Sequence, residues 1–187
     1  MPESLVGRLL VASPKLLDPN FFRSVIFVCA HDSTAAMGVI LNRPLPGSEA
    51  SLDDQLPDWR GRLTAPATAF IGGPVEPGTA IGLARVYGGH DADPWRAVLP
   101  DVGMLNLRAT PMDVPGEMQD VRVFIGYAGW GAGQLEREIA DDAWFVIPAQ
   151  PQDPFAQDPD RLYREVLRRQ PGHLAMFAYF PPDTSQN

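Results

Sequence analysis

The sequence predicts an α+β protein with a mixed, largely antiparallel sheet. Short apolar runs typical of strands occur in pairs that are separated by turn residues. Helical patterns appear at irregular intervals and not after every strand, which argues against a regular βαβ series. The 187 residues are enough to bury a core but short for two domains. We therefore expect one domain over residues 1–187, with residues 181–187 fraying.

The first two thirds of the chain are predicted to be mainly strands. The β-branched and aromatic run Ser24–Ala30 is typical of a strand buried on both faces, and we expect it to form a hairpin with Met37–Leu41. A short helix capped by Ser51 is expected over Leu52–Gln55. Further strands are predicted over Leu5–Ser13, Ala67–Ile71, Ile81–Tyr87, Trp95–Pro100 and Val102–Arg108.

The last third combines strands with the clearer helices. A strand over Val121–Ile125 runs into a glycine-dense segment and then a helix in which Leu135 and Ile139 share a face. Ala143–Ile147 is a predicted strand. The strongest helix is Asp160–Gln170, which Pro171 and Gly172 end. We expect His173–Phe180 to be a strand or a packed apolar tail.

The glycine-dense segment is the strongest candidate for a ligand site. It is predicted to be a turn that carries Gly126, Gly129, Gly131 and Gly133 between a strand and a helix start, where backbone N–H groups often surround a ligand. It matches neither the dinucleotide fingerprint nor a phosphate-binding loop. The structural alternative is that the glycines permit close backbone packing and positive φ, that Trp130 fills the core, and that Gln134 reaches back to a free N–H group.

Glu136 and Glu138 point to opposite sides of the helix, because two residues span about 200° at 3.6 residues per turn. Glu138 shares a face with Gln134 beside the apolar stripe, so we expect its carboxylate to be half-buried. A half-buried carboxylate requires a partner, and Arg43 is the predicted one, as a structural ion pair or as a ligand clamp.

Two other loops follow predicted strands in the same way as the glycine-dense segment. They are Asn42–Arg43–Pro44 and Gly72–Gly73–Pro74. If the three loops meet at one edge of the sheet, they form a concave site. The predicted ligand-binding residues are Asn42, Arg43, Gly72, Gly73, Gly129, Trp130, Gly133, Gln134 and Glu138.

Charge and composition narrow the class of partner. The chain has 15 basic and 23 acidic residues, a formal net charge of −8 that disfavours direct binding to nucleic acid. The N-terminus lacks the features of a signal peptide, and no apolar run reaches the roughly 18 residues that cross a bilayer. We therefore expect a cytoplasmic protein that does not enter a membrane.

Cys29 is expected to be a core hydrophobe, the alternative being a reactive thiol near His31.

The histidines show no metal-ligand spacing, so we predict neither a metal nor another cofactor. The last helix has a basic face formed by Arg161, Arg164, Arg168 and Arg169. Such a face is usually solvated and internally paired, for example between Arg161 and Glu165. The sharper interpretation is a contact for an acidic partner, or weak nucleic-acid affinity.

A set of spaced motifs across about residues 6–167 resembles the bacterial YqgE/AlgH family. The most specific block is Gly126–Tyr127–Ala128–Gly129–Trp130–x–x–Gly133–Gln134–Leu135–Glu136–x–Glu138–Ile139, with Trp144 after it. The others are Arg8–Leu9–Leu10–Val11–Ala12, Asp18–x–x–Phe21–x–Arg23–Ser24–Val25, His31, Gly38–x–x–x–Asn42–Arg43–Pro44 and Gly72–Gly73–Pro74–Val75.

The resemblance implies a cytoplasmic α+β fold whose sheet curls toward a pseudo-barrel with helices packed outside. It implies no particular reaction. The AlgH name reflects a proposed role in regulating alginate synthesis, and members are often labelled transcriptional regulators. Two departures matter: Ala30 stands where the family usually has Glu before the histidine, and the tail after Pro171 matches poorly.

These observations favour a non-enzymatic regulatory protein acting through a protein or small ligand at the Gly129–Glu138 surface. The first alternative is a hydrolase or transferase that uses Glu138 as base, with Asn42, Arg43 and Gln134 orienting the substrate. The second alternative is a small-molecule-binding protein in which Trp130 stacks on a ring.

Overall fold

The computed structural model describes residues 4–181 and confirms the predicted α+β class with a curled, largely antiparallel sheet that forms a half-barrel. Residues 182–187 of the tail expected to fray lie outside the described residues. The strands are β1 Arg8–Ala12, β2 Val25–His31, β3 Ala35–Ile40, β4 Pro44–Leu45, β5 Ala69–Ile71, β6 Val75–Tyr87, β7 Trp95–Ala97, β8 Val102–Leu105, β9 Glu117–Gly131 and β10 Trp144–Pro148.

The helices lie between and after the strands. The α-helices are α1 Glu49–Gln55, α2 Gln134–Ala140 and α3 Pro159–Arg168. Short 3₁₀-helices occupy Pro57–Trp59, Pro111–Asp113, Asp153–Phe155 and Gly172–Tyr179. Ser48, not Ser51, precedes α1 as its cap residue, so that helix begins earlier than predicted. The segment after Pro171 is the packed 3₁₀-helix and not a strand.

The sheet has the order β10-β1-β2-β3-β9-β6-β8-β7, and the short strand β5 pairs with β4 and β9. The predicted β2–β3 hairpin is confirmed, with Ile26 opposite Ile40. Only the β5–β9 pairing is parallel among the described strands. The 15-residue strand β9 pairs with β3, β5 and β6, so it joins the two halves of the sheet.

The glycine-dense segment is largely strand and not turn, which corrects the sequence-based prediction. β9 continues through Gly126 and Gly129 to Gly131, and only Ala132 and Gly133 lie between it and α2. Gly126 has φ 69°, and a Cβ there would lie 2.5 Å from the carbonyl oxygen of Gly73. Gly126 therefore serves the close approach of a neighbouring backbone, whereas a Cβ on Gly131 would meet no atom within 4 Å.

The core lies on both faces of the sheet. One face buries β-strand residues such as Leu9, Phe27 and Phe124 beneath α3. The opposite face near β10 buries Ile26, Trp130 and Trp144 together with Leu135 from α2. The strands β1 and β2 are covered on both sides, as the uninterrupted apolar run in β2 predicts.

Candidate functional site

The carboxylate of Glu138 is the centre of the region predicted from sequence. Its Oε2 accepts hydrogen bonds from Trp130 Nε1 at 2.9 Å and from Trp144 Nε1 at 2.8 Å. Its Oε1 accepts a third from Gln134 Nε2 at 2.9 Å. The side chain is half-buried, as predicted. Because three N–H donors satisfy it, Glu138 is a structural anchor for two indoles.

Arg43 is not the partner of Glu138, which corrects the predicted ion pair. Within residues 4–181, the groups that hydrogen-bond to Glu138 are two indoles and an amide, and all are neutral. Gln134 fulfils the other prediction made for it, since the backbone N–H of Gly131 donates to its side-chain oxygen at 3.1 Å. Gln134 thus links the end of β9 to the carboxylate one helical turn later.

Trp130 belongs to the core, so it offers no ring face to a ligand. Its exposed fraction is 5%, and that of Trp144 is 3%. The two indoles meet edge to face, and Phe21 packs on both of them, with centroid distances of 6.4 Å to Trp130 and 5.7 Å to Trp144. The ring-stacking role predicted for Trp130 is therefore replaced by an aromatic cluster that a carboxylate holds in place.

Asn42 and Arg43 hold the backbone of the segment that carries Phe21. The Asn42 side chain donates to the carbonyl of Arg23 and accepts from the backbone N–H of Val25, both at 2.9 Å. Arg43 donates to the carbonyls of Pro19 at 3.2 Å and Phe22 at 2.9 Å. Burial lowers the pKa of the Arg43 guanidinium. Both polar side chains thus stabilise a loop.

Gly72 and Gly73 lie against the backbone of β9. A Cβ on Gly72 would lie 2.2 Å from the carbonyl oxygen of Gly126, and one on Gly73 would lie 2.1 Å from the carbonyl carbon of Tyr127. The backbone N–H of Gly72 donates to Ile125 at 2.8 Å. These residues are glycines because two backbones cross here, which is a packing role.

The three predicted loops form two groups and not one. The Asn42 and Gly72 loops meet, since the N–H of Ile71 donates to the carbonyl of Arg43 at 2.8 Å. They contact β9 near Tyr127, whereas α2 begins beyond Gly131, about 13 Å further along the strand at about 3.3 Å per residue. Gly129 lies on β9 between the two groups, and Gly133 caps α2 with φ 66°.

Sequence reasoning missed an interaction between His31 and Glu136. His31 Nδ1 accepts a hydrogen bond from the backbone N–H of Leu5 at 3.0 Å, so the ring proton of the neutral form lies on Nε2. Nε2 is 2.8 Å from Glu136 Oε1, to which it donates. This hydrogen bond lowers the pKa of Glu136. Because Glu136 and Glu138 point to opposite sides of α2, the sequence did indicate that Glu136 has a partner of its own.

Cys29 is a core residue, in agreement with the structural interpretation of the sequence. It packs with Val25 and Phe27 in the cluster beneath α3. Burial raises the pKa of its thiol to about 12. The nearby His31 pairs with Glu136 instead of activating the sulfur.

Two open grooves in the described part of the chain lie away from these residues. One, of about 540 Å³, lies beside Trp59 and Leu107, and the other, of about 550 Å³, beside Asp120 and Arg169. Neither is lined by Asn42, Arg43, Gln134 or Glu138. No helix within residues 4–181 combines the length and apolarity needed to span a membrane.

The half-barrel sheet and the carboxylate-held aromatic cluster define the class as an α+β protein with a curled, largely antiparallel sheet. A family model described as AlgH-like matches residues 9–175, and the chain belongs to this family. The resemblance to the YqgE/AlgH family is thereby confirmed. The solution structure of AlgH from Pseudomonas aeruginosa is similar, with a TM-score of 0.68 and 27% identity over 97% of this chain and 96% of that one.

Other relatives share more of the sequence. A UPF0301 protein of Streptomyces coelicolor is 45% identical, over 99% of this chain and 96% of its own. The crystal structure of a protein from Corynebacterium diphtheriae superimposes with a TM-score of 0.86 at 32% identity, covering 95% of this chain and 93% of that one.

Proposed function

We propose that this member of the AlgH-like family is a non-enzymatic, transcription-related regulatory protein of the cytoplasm. It acts through contact with a protein or a small ligand and does not bind DNA directly. The regulatory role is the one implied by the family resemblance. The net charge of −8 supports an indirect role, because it opposes approach to a phosphate backbone.

The observation that carries the proposal is the hydrogen bonding of Glu138. The hydrolase or transferase alternative needs a carboxylate that is free to take a proton, oriented with Asn42 and Arg43 on a substrate. Here three N–H donors occupy the carboxylate, while Asn42 and Arg43 bind loop backbone. This arrangement favours a protein that presents a surface over one that performs acid–base catalysis.

The surface proposed for the contact is the exposed part of the Gly129–Glu138 stretch. It consists of Gly131, Ala132, Gly133, Gln134 and Arg137, which we call the α2 surface. The buried aromatic cluster lies directly beneath it, and the His31–Glu136 hydrogen bond fixes α2 to the end of β2. A surface held from below at several points is well suited to recognition, because little ordering remains to be done on binding.

The test is complementation of a gene-deletion strain by variants that alter only exposed atoms. Ala132→Arg places a long side chain on the α2 surface, and Ala50→Arg on exposed α1 is the matched control. We expect Ala132→Arg to fail to restore the transcript profile while Ala50→Arg restores it, with both variants equally folded by circular dichroism. Full restoration by Ala132→Arg contradicts the proposed surface, and substrate turnover that Glu138→Gln abolishes contradicts the non-enzymatic role.

A further inference from the structure

The exposed face of α3 concentrates positive charge on a protein that is acidic overall. With about 100° between successive residues, the exposed positions occur in the order Asp160, Arg164, Arg168, Arg161, Glu165 around the helix. Three arginines therefore share the middle of the face, and the carboxylates lie at its edges. This is a local patch of sign opposite to the net charge of −8.

Two of these arginines are free of partners within the described residues. Arg161 pairs with Asp158 at 3.1 Å, which corrects the predicted Arg161–Glu165 pair. Arg164 and Arg168 make no ion pair or hydrogen bond within residues 4–181. Arg168 lies in the last turn, where a cation favours the helix, but Arg164 four residues earlier repels it, so helix stability does not explain Arg164.

An exposed apolar ridge lies on the neighbouring element. In the 3₁₀-helix Gly172–Tyr179, residues three apart share a side, and His173, Met176 and Tyr179 form the outward ridge. Met176 is 67% exposed and Tyr179 is 76% exposed, while Phe177 turns inward to Phe145. Phe180 follows with 43% of its surface exposed.

The helices that carry the charged patch and the apolar ridge are neighbours. This 3₁₀-helix packs against α3. Arg23 connects them, since its Nη1 donates to the carbonyl of Phe180 at 3.0 Å and its guanidinium lies 4.5 Å from the centre of the Tyr163 ring on α3. Burial lowers the pKa of Arg23, Tyr163 raises it, and the positive charge of Arg164 lowers it.

We infer that Arg164, Arg168, Met176, Tyr179 and Phe180 form a docking surface for an acidic segment of a protein partner that also carries apolar side chains. Arginine, methionine and aromatic residues are the types enriched where proteins bind one another. Free guanidinium groups beside an apolar ridge complement carboxylates interspersed with aromatic or aliphatic side chains. This surface is composed of other elements than the α2 surface, so it goes beyond the function proposed above.

The probe is a fluorescein-labelled peptide, Glu-Asp-Glu-Trp-Phe-Asp-Glu-Leu-Asp-Glu, titrated with the full-length protein and followed by fluorescence anisotropy. At about 0.1 M NaCl, exposed charges still interact over about 10 Å. We expect saturable binding that Arg164→Glu/Arg168→Glu weakens about tenfold or more. Arg62→Glu/Arg108→Glu changes the net charge equally at exposed sites elsewhere, and we expect it to leave the affinity unchanged.

A second variant tests the apolar ridge. Met176→Ser/Tyr179→Ser is expected to weaken binding of the acidic peptide, and a peptide with Ser in place of Trp, Phe and Leu is expected to bind the unaltered protein more weakly.

Absence of peptide binding, or equal loss in the Arg62/Arg108 control, overturns the inference. It is also overturned if phosphatidylserine vesicles or a DNA duplex bind more tightly at these arginines, or if the Arg164/Arg168 variant dissociates a dimer of the chain. The Ala132→Arg protein is expected to bind the peptide normally, which separates this test from that of the α2 surface.

Discussion

Trp130 and Trp144 meet with their ring centroids 6.0 Å apart, although β1, β2 and β3 lie between their strands in the sheet. In a flat sheet, four inter-strand steps of about 4.8 Å would separate β9 from β10 by about 19 Å. The contact between the indoles therefore requires the sheet to curl here, in addition to the reach of the two side chains. Glu138 secures this curl, because one of its oxygens accepts a hydrogen bond from each ring.

Substitution of Glu138 is expected to loosen this cluster. Glu138→Ala leaves two buried indole N–H groups without an acceptor, so we expect the free energy of unfolding to fall by about 2–4 kcal/mol, at about 1–2 kcal/mol for each orphaned donor. Glu138→Gln keeps one acceptor oxygen and is expected to cost less. Chemical denaturation followed by tryptophan fluorescence measures both, and Glu49→Gln on exposed α1 is the control. An unchanged free energy of unfolding in Glu138→Ala would show that the two indole N–H groups do not need this carboxylate.

Gly73 is expected to tolerate no side chain. Gly73→Ala puts a Cβ 2.1 Å from the backbone of Tyr127, and backbone atoms on both sides must move to accept it. We expect a loss of about 3 kcal/mol or more, at the upper end of the cost of overpacking. Gly131→Ala, at the end of β9, is the control, since a Cβ there meets no atom within 4 Å. Equal thermal midpoints for the two variants would contradict the assignment of Gly73 to backbone packing.

Cys29 is expected to be inert in the folded protein. Its buried thiol has a pKa raised to about 12, so almost no thiolate forms at neutral pH, and reagents have no path to the sulfur. Ellman's reagent at pH 8 should therefore react slowly with the native chain and rapidly in guanidinium chloride, where one thiol per chain is titrated. Because this acid's pKa is raised on folding, stability from the neutral thiol is present below its unfolded value of 9.0 and is lost above it. Rapid native labelling would contradict the burial.

His31 is expected to control the ionisation of Glu136. The hydrogen bond from His31 lowers the pKa of Glu136 below its ordinary value of 4.5, so ionised Glu136 stabilises the fold above that pH and the stabilisation is lost as the pH falls through the lowered pKa. His31→Phe should return the Glu136 pKa toward 4.5, as followed by carboxyl carbon NMR. The neighbouring Glu138 accepts no hydrogen bond from His31 and serves as the internal control. A Glu136 titration that is identical in both proteins would exclude this coupling.

The sequence predicted local secondary structure and burial better than it predicted which side chains contact one another. The β2–β3 hairpin and helix α3 follow from periodicity, and the half-burial of Glu138 follows from its place beside the Leu135–Ile139 stripe. The identity of its donors did not follow, because that depends on sheet curvature, which brings Trp144 to Trp130 across three strands. Charge complementarity suggested Arg43, but two neutral indoles and an amide satisfy a half-buried carboxylate equally well.

The prediction of a glycine-dense turn was wrong for a related reason, namely that distant parts of the chain determine the structure there. The spacing of Gly126, Gly129 and Gly131 is typical of a turn, whereas all three lie in strand β9, and Gly126 is crowded by the backbone of Gly73, which is distant in sequence. The His31–Glu136 hydrogen bond spans 105 positions and leaves no local pattern. The residues predicted to bind a ligand make structural contacts, and the pairing of the strands divides them into two groups.

The position of β9 late in the chain has a consequence for synthesis on the ribosome. β3, β5 and β6 all pair with β9, so the edge of each strand that faces β9 has no permanent neighbour until about residue 131 has left the exit tunnel. Nascent chains shorter than this expose strand edges with unpaired N–H and C=O groups, which promote aggregation and which chaperones protect. Cells with reduced trigger-factor or Hsp70 capacity should therefore accumulate aggregates of this protein during translation, while the finished molecule remains unaffected.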